Sequence, residues 1–185
     1  MRKLFFSSVL VAIVAVMTSC FEYTEPQFSP SISSSIFYVN PVFEGDSLVS
    51  AQDSLDMMYD ADADTYDLDT VFIGDTVVFA TTFYTYNSNL MSVEMKWEQD
   101  YLDLWYNLTD DITNVLRDTS NVEDGKLYFE SGYNRVSFPV FFTPKVQGGL
   151  KLKLTVESDS EFPISTVSLY IPAKARAVAD STVVE

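Results

Sequence analysis

Leu150, Leu152, Leu154 and Val156 alternate with Lys151, Lys153 and Thr155, the cleanest period-two pattern in the chain. Successive side chains of a strand point to opposite faces, so this alternation predicts one buried and one solvated face. Val93, Met95 and Trp97 alternate with Glu94, Lys96 and Glu98 in the same way. Thr76 to Tyr86 predicts a longer strand with Val77, Phe79, Thr81 and Phe83 on one face. Shorter apolar runs at 36–43, 71–73, 101–108, 127–129, 136–142 and 167–171 predict further strands. Pro41 interrupts the first of these and assigns it to a sheet edge, because proline cannot donate to a central ladder. Gly74-Asp75, Asn87-Ser88-Asn89 and Gly148-Gly149 supply turns, and only 110–116 carries a short helical pattern. Seven or more short strands, spaced by turns and without long helices, predict an all-β antiparallel sandwich.

The N-terminal segment follows a different grammar. Met1-Arg2-Lys3 precedes an apolar run from Leu4 to Met17, and Thr18, Ser19 and Cys20 follow. A charged start, a short apolar core and small residues are the layout of a secretory signal. The core is short for a membrane span. The segment Met17-Thr18-Ser19-Cys20 resembles a bacterial lipobox, with Cys20 where signal peptidase II cuts. That resemblance implies loss of residues 1–19, a diacylglycerol on the Cys20 sulfur and a fatty acyl group, such as palmitate, on the new N-terminus. Two or more acyl chains anchor a protein stably, whereas one holds it only marginally. Cys20 is the single cysteine of the chain. Lipidation removes a lone thiol from oxidation and cross-linking, and it leaves no disulfide to support the fold.

Residues 20–35 read as a lipidated tether carrying Pro26, Pro30 and several serines. Its start, Phe21-Glu22-Tyr23-Thr24-Glu25, is similar to the surface-export signals of Bacteroidetes lipoproteins but is sparser in acid. The resemblance implies an outer-membrane address and leaves the surface and periplasmic faces both open. The domain then spans 36–172, with an acidic loop at 44–70, an insertion at 98–134 and a flexible tail at 173–185. Within it, Gly74-Asp75-Thr76-Val77-Val78-Phe79 turns into a strand, and Met91 to Trp97 forms the next. Phe142-Thr143-Pro144 and a Gly148-Gly149 turn then lead into Leu150 to Val156. This order resembles the immunoglobulin-like domains of bacterial surface proteins, notably the PKD-type, over about residues 70–172. Leu150 stands where those domains carry an aromatic. The resemblance implies that Trp97 packs between the sheets.

Trp105 lies in Tyr101-Leu102-Asp103-Leu104-Trp105-Tyr106, where both strand faces carry aromatic or leucine side chains. One face is therefore covered by other parts of the chain or exposed as a platform. Trp105, Tyr106 and Tyr101 are the candidate platform for a glycan or a partner protein.

Net charge and composition narrow the chemistry. The chain carries a formal charge of −16, and loss of Arg2 and Lys3 with the signal takes it to −18. Such acidity argues against nucleic acid and anionic lipid headgroups as partners. Histidine is absent, which removes the usual general base, the usual zinc ligand and every Ser–His or Cys–His arrangement. No enzyme and no cofactor are expected. Asp60, Asp62 and Asp64 alternate, as ligands do in a calcium loop. The sixth and twelfth positions, which want glycine and a bidentate acid, hold Thr65 and Val71. The expectation is a solvated acidic loop with no tight metal site. Asp46-Ser47-Leu48 and Asp53-Ser54-Leu55 resemble the O-glycosylation triplet of exported Bacteroidetes proteins, which makes Ser47 and Ser54 candidate acceptors. The reading is a membrane-anchored exported lipoprotein acting as a non-catalytic binding or structural module. The alternatives are an accessory glycan-binding lipoprotein of an outer-membrane uptake system and a pilus or surface-assembly component.

Overall fold

The computed structural model describes residues 28–177. The signal at 1–19, Cys20 and the first part of the tether lie outside them. In chain order the described residues form β1 (Ser31–Ser34), β2 (Phe37–Val39), β3 (Val42–Glu44), β4 (Ser47–Ser50), β5 (Asp53–Leu55), β6 (Met57–Asp60), β7 (Thr65–Leu68) and β8 (Val71–Phe72). There follow β9 (Val77–Tyr84), β10 (Leu90–Trp97), β11 (Leu102–Tyr106), one helical turn α1 (Asp110–Thr113), β12 (Lys126–Tyr128), β13 (Arg135–Pro144), β14 (Gly148–Ser158) and β15 (Ile164–Lys174). One sheet runs β11-β13-β9-β2-β5, with β1 also paired to β9. The other runs β12-β10-β14-β15-β7-β6, with β8 also paired to β15. A separate hairpin, β3-β4, stands outside both.

The two sheets close on one core. Val77, Phe79, Thr81 and Phe83 are each at most 1% exposed, as their alternation requires. Val136, Phe138, Val140 and Phe142 line up beside them from β13. Val93, Met95, Leu152, Leu154, Val156, Leu169 and Ile171 meet them from the second sheet. Lys151 and Lys153 stand on the solvated face of β14. Trp97 is half-buried and packs against this core from the end of β10. The described residues form an all-β sandwich of two sheets.

Several boundaries differ from the expectation. The tether does not extend to residue 35, because Ser31–Ser34 pairs with Thr81–Tyr84 of β9. Ladder hydrogen bonds come from the backbone, so a serine-rich stretch can supply a strand as readily as an apolar one. Ile32 adds a partly buried side chain to the core. The run 36–43 is two strands. Asn40 takes a left-handed conformation (φ 48°) and Pro41 follows, so the chain breaks there. Pro41 therefore sits in the break and β2 is flanked on both sides, by β9 and β5. Residues 44–70 are a succession of short strands in which only Leu55 and Leu68 are buried. Their acids face water while the backbone groups pair. The insertion at 98–134 supplies an edge strand to each sheet, β11 to one and β12 to the other. Pairing is not wholly antiparallel, since β7 and β8 both lie parallel to β15. Residues 173–176, assigned to the tail, belong to the fold among the described residues. Ala173 is 3% exposed within β15, and Arg176 pairs with Asp75.

That ion pair belongs to a small polar cluster that fixes the break after β2. Buried Asp75 accepts hydrogen bonds from Arg176 Nη2 at 2.5 Å and Asn40 Nδ2 at 3.0 Å. Asn40 Oδ1 in turn accepts from the Thr76 amide at 3.0 Å. The Arg176 guanidinium also lies 5.0 Å from the centroid of the Phe72 ring. The cluster ties the start of β9 to the point where the β3-β4 hairpin departs, and so sets where the hairpin stands.

Candidate binding groove

Trp105 on β11 is paired directly with Phe141 on β13. Both point away from the core, because Leu102, Leu104 and Tyr106 take the inward positions of the edge strand. The two rings stack at 5.5 Å with an interplanar angle of 7°. Phe43 of the β3-β4 hairpin reaches Phe141 at 6.1 Å and 59°. Phe141 is thereby covered to 9% exposure, while Trp105 stays 41% exposed. Phe141 also pairs with Val78 of β9, itself 5% exposed, so a continuous apolar strip crosses the outer face of the first sheet.

Trp105, Phe141 and Phe43 floor a groove of about 1000 Å³ between the hairpin and the segment that leads into α1. Asp46 lies on the hairpin side, and Asn107, Thr109 and Asp110 lie on the other. Thr109 is the N-cap of α1 but its side chain makes no capping hydrogen bond. Among the described residues the groove lining contains neither lysine nor arginine. An apolar floor with a few polar groups at its rim is the usual make-up of a small-ligand site.

Of the three candidate platform residues, the structure puts only Trp105 in the groove. Tyr106 faces the core, 5.6 Å from Phe138, and its hydroxyl donates to the Val122 carbonyl. Burial pushes its pKa up to about 12. Tyr101 is exposed at the far end of β11, where its carbonyl accepts from the Lys145 amide. The period of the strand separates Tyr106 from Trp105, since neighbours one residue apart cannot share a face, and Tyr101 lies before the start of β11. Phe43 and Phe141 were not singled out by the pattern. The unbroken run Val140-Phe141-Phe142 was the available signal, because a strand with apolar residues on both faces needs cover on both.

Ser47 opens β4 opposite Glu44, exposed and next to Asp46 at the groove. Ser54 is exposed on β5, away from the groove, and its amide donates to Asp53 Oδ1 at 2.8 Å. Asp60, Asp62 and Asp64 lie at the turn between β6 and β7. Asp60 Oδ1 accepts from the amides of Asp62 and Ala63, and Asp64 Oδ1 accepts from the Tyr59 hydroxyl at 2.8 Å. The bond to Asp64 raises the Tyr59 pKa, because it stabilises the neutral phenol. These carboxylates serve the turn itself. Millimolar calcium is therefore expected to leave the melting temperature unmoved. A calcium-dependent rise that the Asp60, Asp62 and Asp64 to Asn triple variant loses would establish a metal site.

No protein-family profile matches the chain, and no curated protein matches it. Solved structures with a similar fold include BslA, described as a bacterial hydrophobin, at 13% identity and a TM-score of 0.40. That match covers 83% of this chain and 99% of the other. A family 123 glycoside hydrolase from Clostridium perfringens is similar at 13% identity and a TM-score of 0.39, over 80% of this chain and 28% of the enzyme. The ASH / PapD-like domain 7 of human CEP192 is similar at 12% identity and a TM-score of 0.36, over 74% of this chain and the whole of that domain. At these identities the likeness is one of architecture.

Proposed function

We propose that this chain is an exported lipoprotein, anchored to the outer membrane through Cys20, whose sandwich works as a non-catalytic binding module. The observation that carries the binding role is the groove floored by Trp105, Phe141 and Phe43. A 41% exposed tryptophan braced by a second ring is an apolar surface held in place for contact. The anchor rests on the Met17-Thr18-Ser19-Cys20 segment after its apolar run. A chain without histidine lacks the commonest general base, in keeping with a role in binding. The Bacteroidetes-type export signal and the PKD-type subfamily belong to the same proposal.

The anchor is tested by replacing Cys20 with Ala and following the protein through membrane fractionation with labelled palmitate. The variant is expected to leave the membrane fraction and to lose the label. A variant that stays membrane-bound with unchanged mobility would place the attachment elsewhere.

A further inference from the structure

We infer that the Trp105 groove binds a neutral oligosaccharide, an inference that rests on the binding-module reading above. Sugar rings present patches of C–H to one side and hydroxyls around their edge. The groove presents the complement. Trp105 is held by stacking on Phe141, parallel to within 7°, and stays 41% exposed for contact with the C–H face of a sugar ring.

The rim supplies the hydroxyl partners. The side chains of Asp46, Asn107, Thr109 and Asp110 border the groove, and none has a hydrogen-bond partner among the described residues. Together they offer carboxylate acceptors, an amide that both donates and accepts, and a hydroxyl. Asn40, also at the groove, is different, because its amide is already committed to Gln52, Asp75 and Thr76. The missing lysine and arginine, with two carboxylates in place, disfavour uronic, sialic or sulfated glycans by like-charge repulsion. A volume of about 1000 Å³ lies at the upper end of small-ligand clefts, roughly 300–1,000 Å³, which leaves room for more than one sugar ring. A cationic peptide is the competing occupant on charge alone. The uncommitted Asn107 amide and Thr109 hydroxyl, which can both donate and accept, favour the sugar.

The test is calorimetric titration of the full-length protein in detergent with cellohexaose, xylohexaose and mannohexaose. Hexagalacturonate and hexalysine serve as charged probes. At least one neutral hexasaccharide is expected to bind with a Kd on the order of 0.1–1 mM. Trp105→Ala should weaken it roughly tenfold or more, the effect of losing an aromatic contact. Asn107→Ala should weaken it less and keep the parent melting temperature, because its side chain is exposed; Trp105→Ala uncovers Phe141 and should melt somewhat lower, so its binding is read at a temperature where far-UV circular dichroism shows it fully folded. Hexagalacturonate should not bind.

The inference is overturned if no neutral hexasaccharide binds at about ten times that Kd, or if Trp105→Ala binds as well as the parent. Hexalysine binding that depends on Trp105, without sugar binding, overturns the sugar and leaves the binding module standing. Binding of every probe lost together leaves neither. Release of shorter sugars during incubation would retain the ligand class and overturn the non-catalytic reading.

Discussion

Leu154→Ala is expected to cost roughly 2–5 kcal/mol of stability, the range for truncating a buried leucine. Leu154 is fully buried on β14, the strand with a long partner on each side. It stands opposite Met95 on β10 and Val167 on β15. A cavity there is walled by two ladders of backbone hydrogen bonds, so the site cannot collapse and the cost falls in the upper part of the range. Lys153→Ala, one residue away on the solvated face, should change stability by about 0.5 kcal/mol or less. Urea unfolding of both variants, compared by midpoint at constant slope, separates them. A surface-like cost for Leu154→Ala would mean that the register of β14 is misread, since a slip of one residue exchanges its faces.

The second large effect is expected at Gly125, in the loop before β12. Its φ is +71°, and a Cβ built there would lie 2.6 Å from the Met95 carbonyl oxygen and 2.9 Å from Trp97 Cζ3. The first contact is with backbone that Gly125 itself engages, because the Met95 amide donates to the Gly125 carbonyl at 2.9 Å. Neither partner can withdraw cheaply. Gly125→Ala adds left-handed strain to overpacking and should cost roughly 2–4 kcal/mol. Gly45 provides the comparison. It has φ +60° and nothing within 4 Å of its would-be Cβ, so Gly45→Ala should cost only the backbone term, roughly 1–2 kcal/mol. Trp97 emission should also shift in the Gly125 variant, because its ring packs on that glycine. Matching losses at the two positions would show that the contact with β10 is not formed.

Much of the sandwich was readable from the pattern of side chains. The central strands β9, β10, β13 and β14 each bury one face, and their apolar positions repeat with period two in consequence. The short strands between residues 44 and 70 were not readable. They bury almost nothing but Leu55 and Leu68, and pairing through backbone groups leaves little trace in side-chain order. The candidate site was legible in one residue of three. Trp105 stood out because its strand is apolar on both faces. Its partners Phe43 and Phe141 come from 62 residues before it and 36 after it, and no local pattern connects them.

The sequence alone determines the class of fold and the faces of the long strands. These follow from local periodicity and from which residue types are present. Tertiary structure alone decides that the 98–134 segment lends an edge strand to each sheet. It also decides that Asn40, Asp75 and Arg176 fasten the hairpin beside the first sheet, and that Trp105 meets Phe141 while Tyr106 turns inward. The physical reason is that strand pairing and sheet stacking are long-range. Backbone hydrogen bonds are the same for every residue, so which strands become neighbours, and which side chains therefore share a groove, is set by closing the whole core at once.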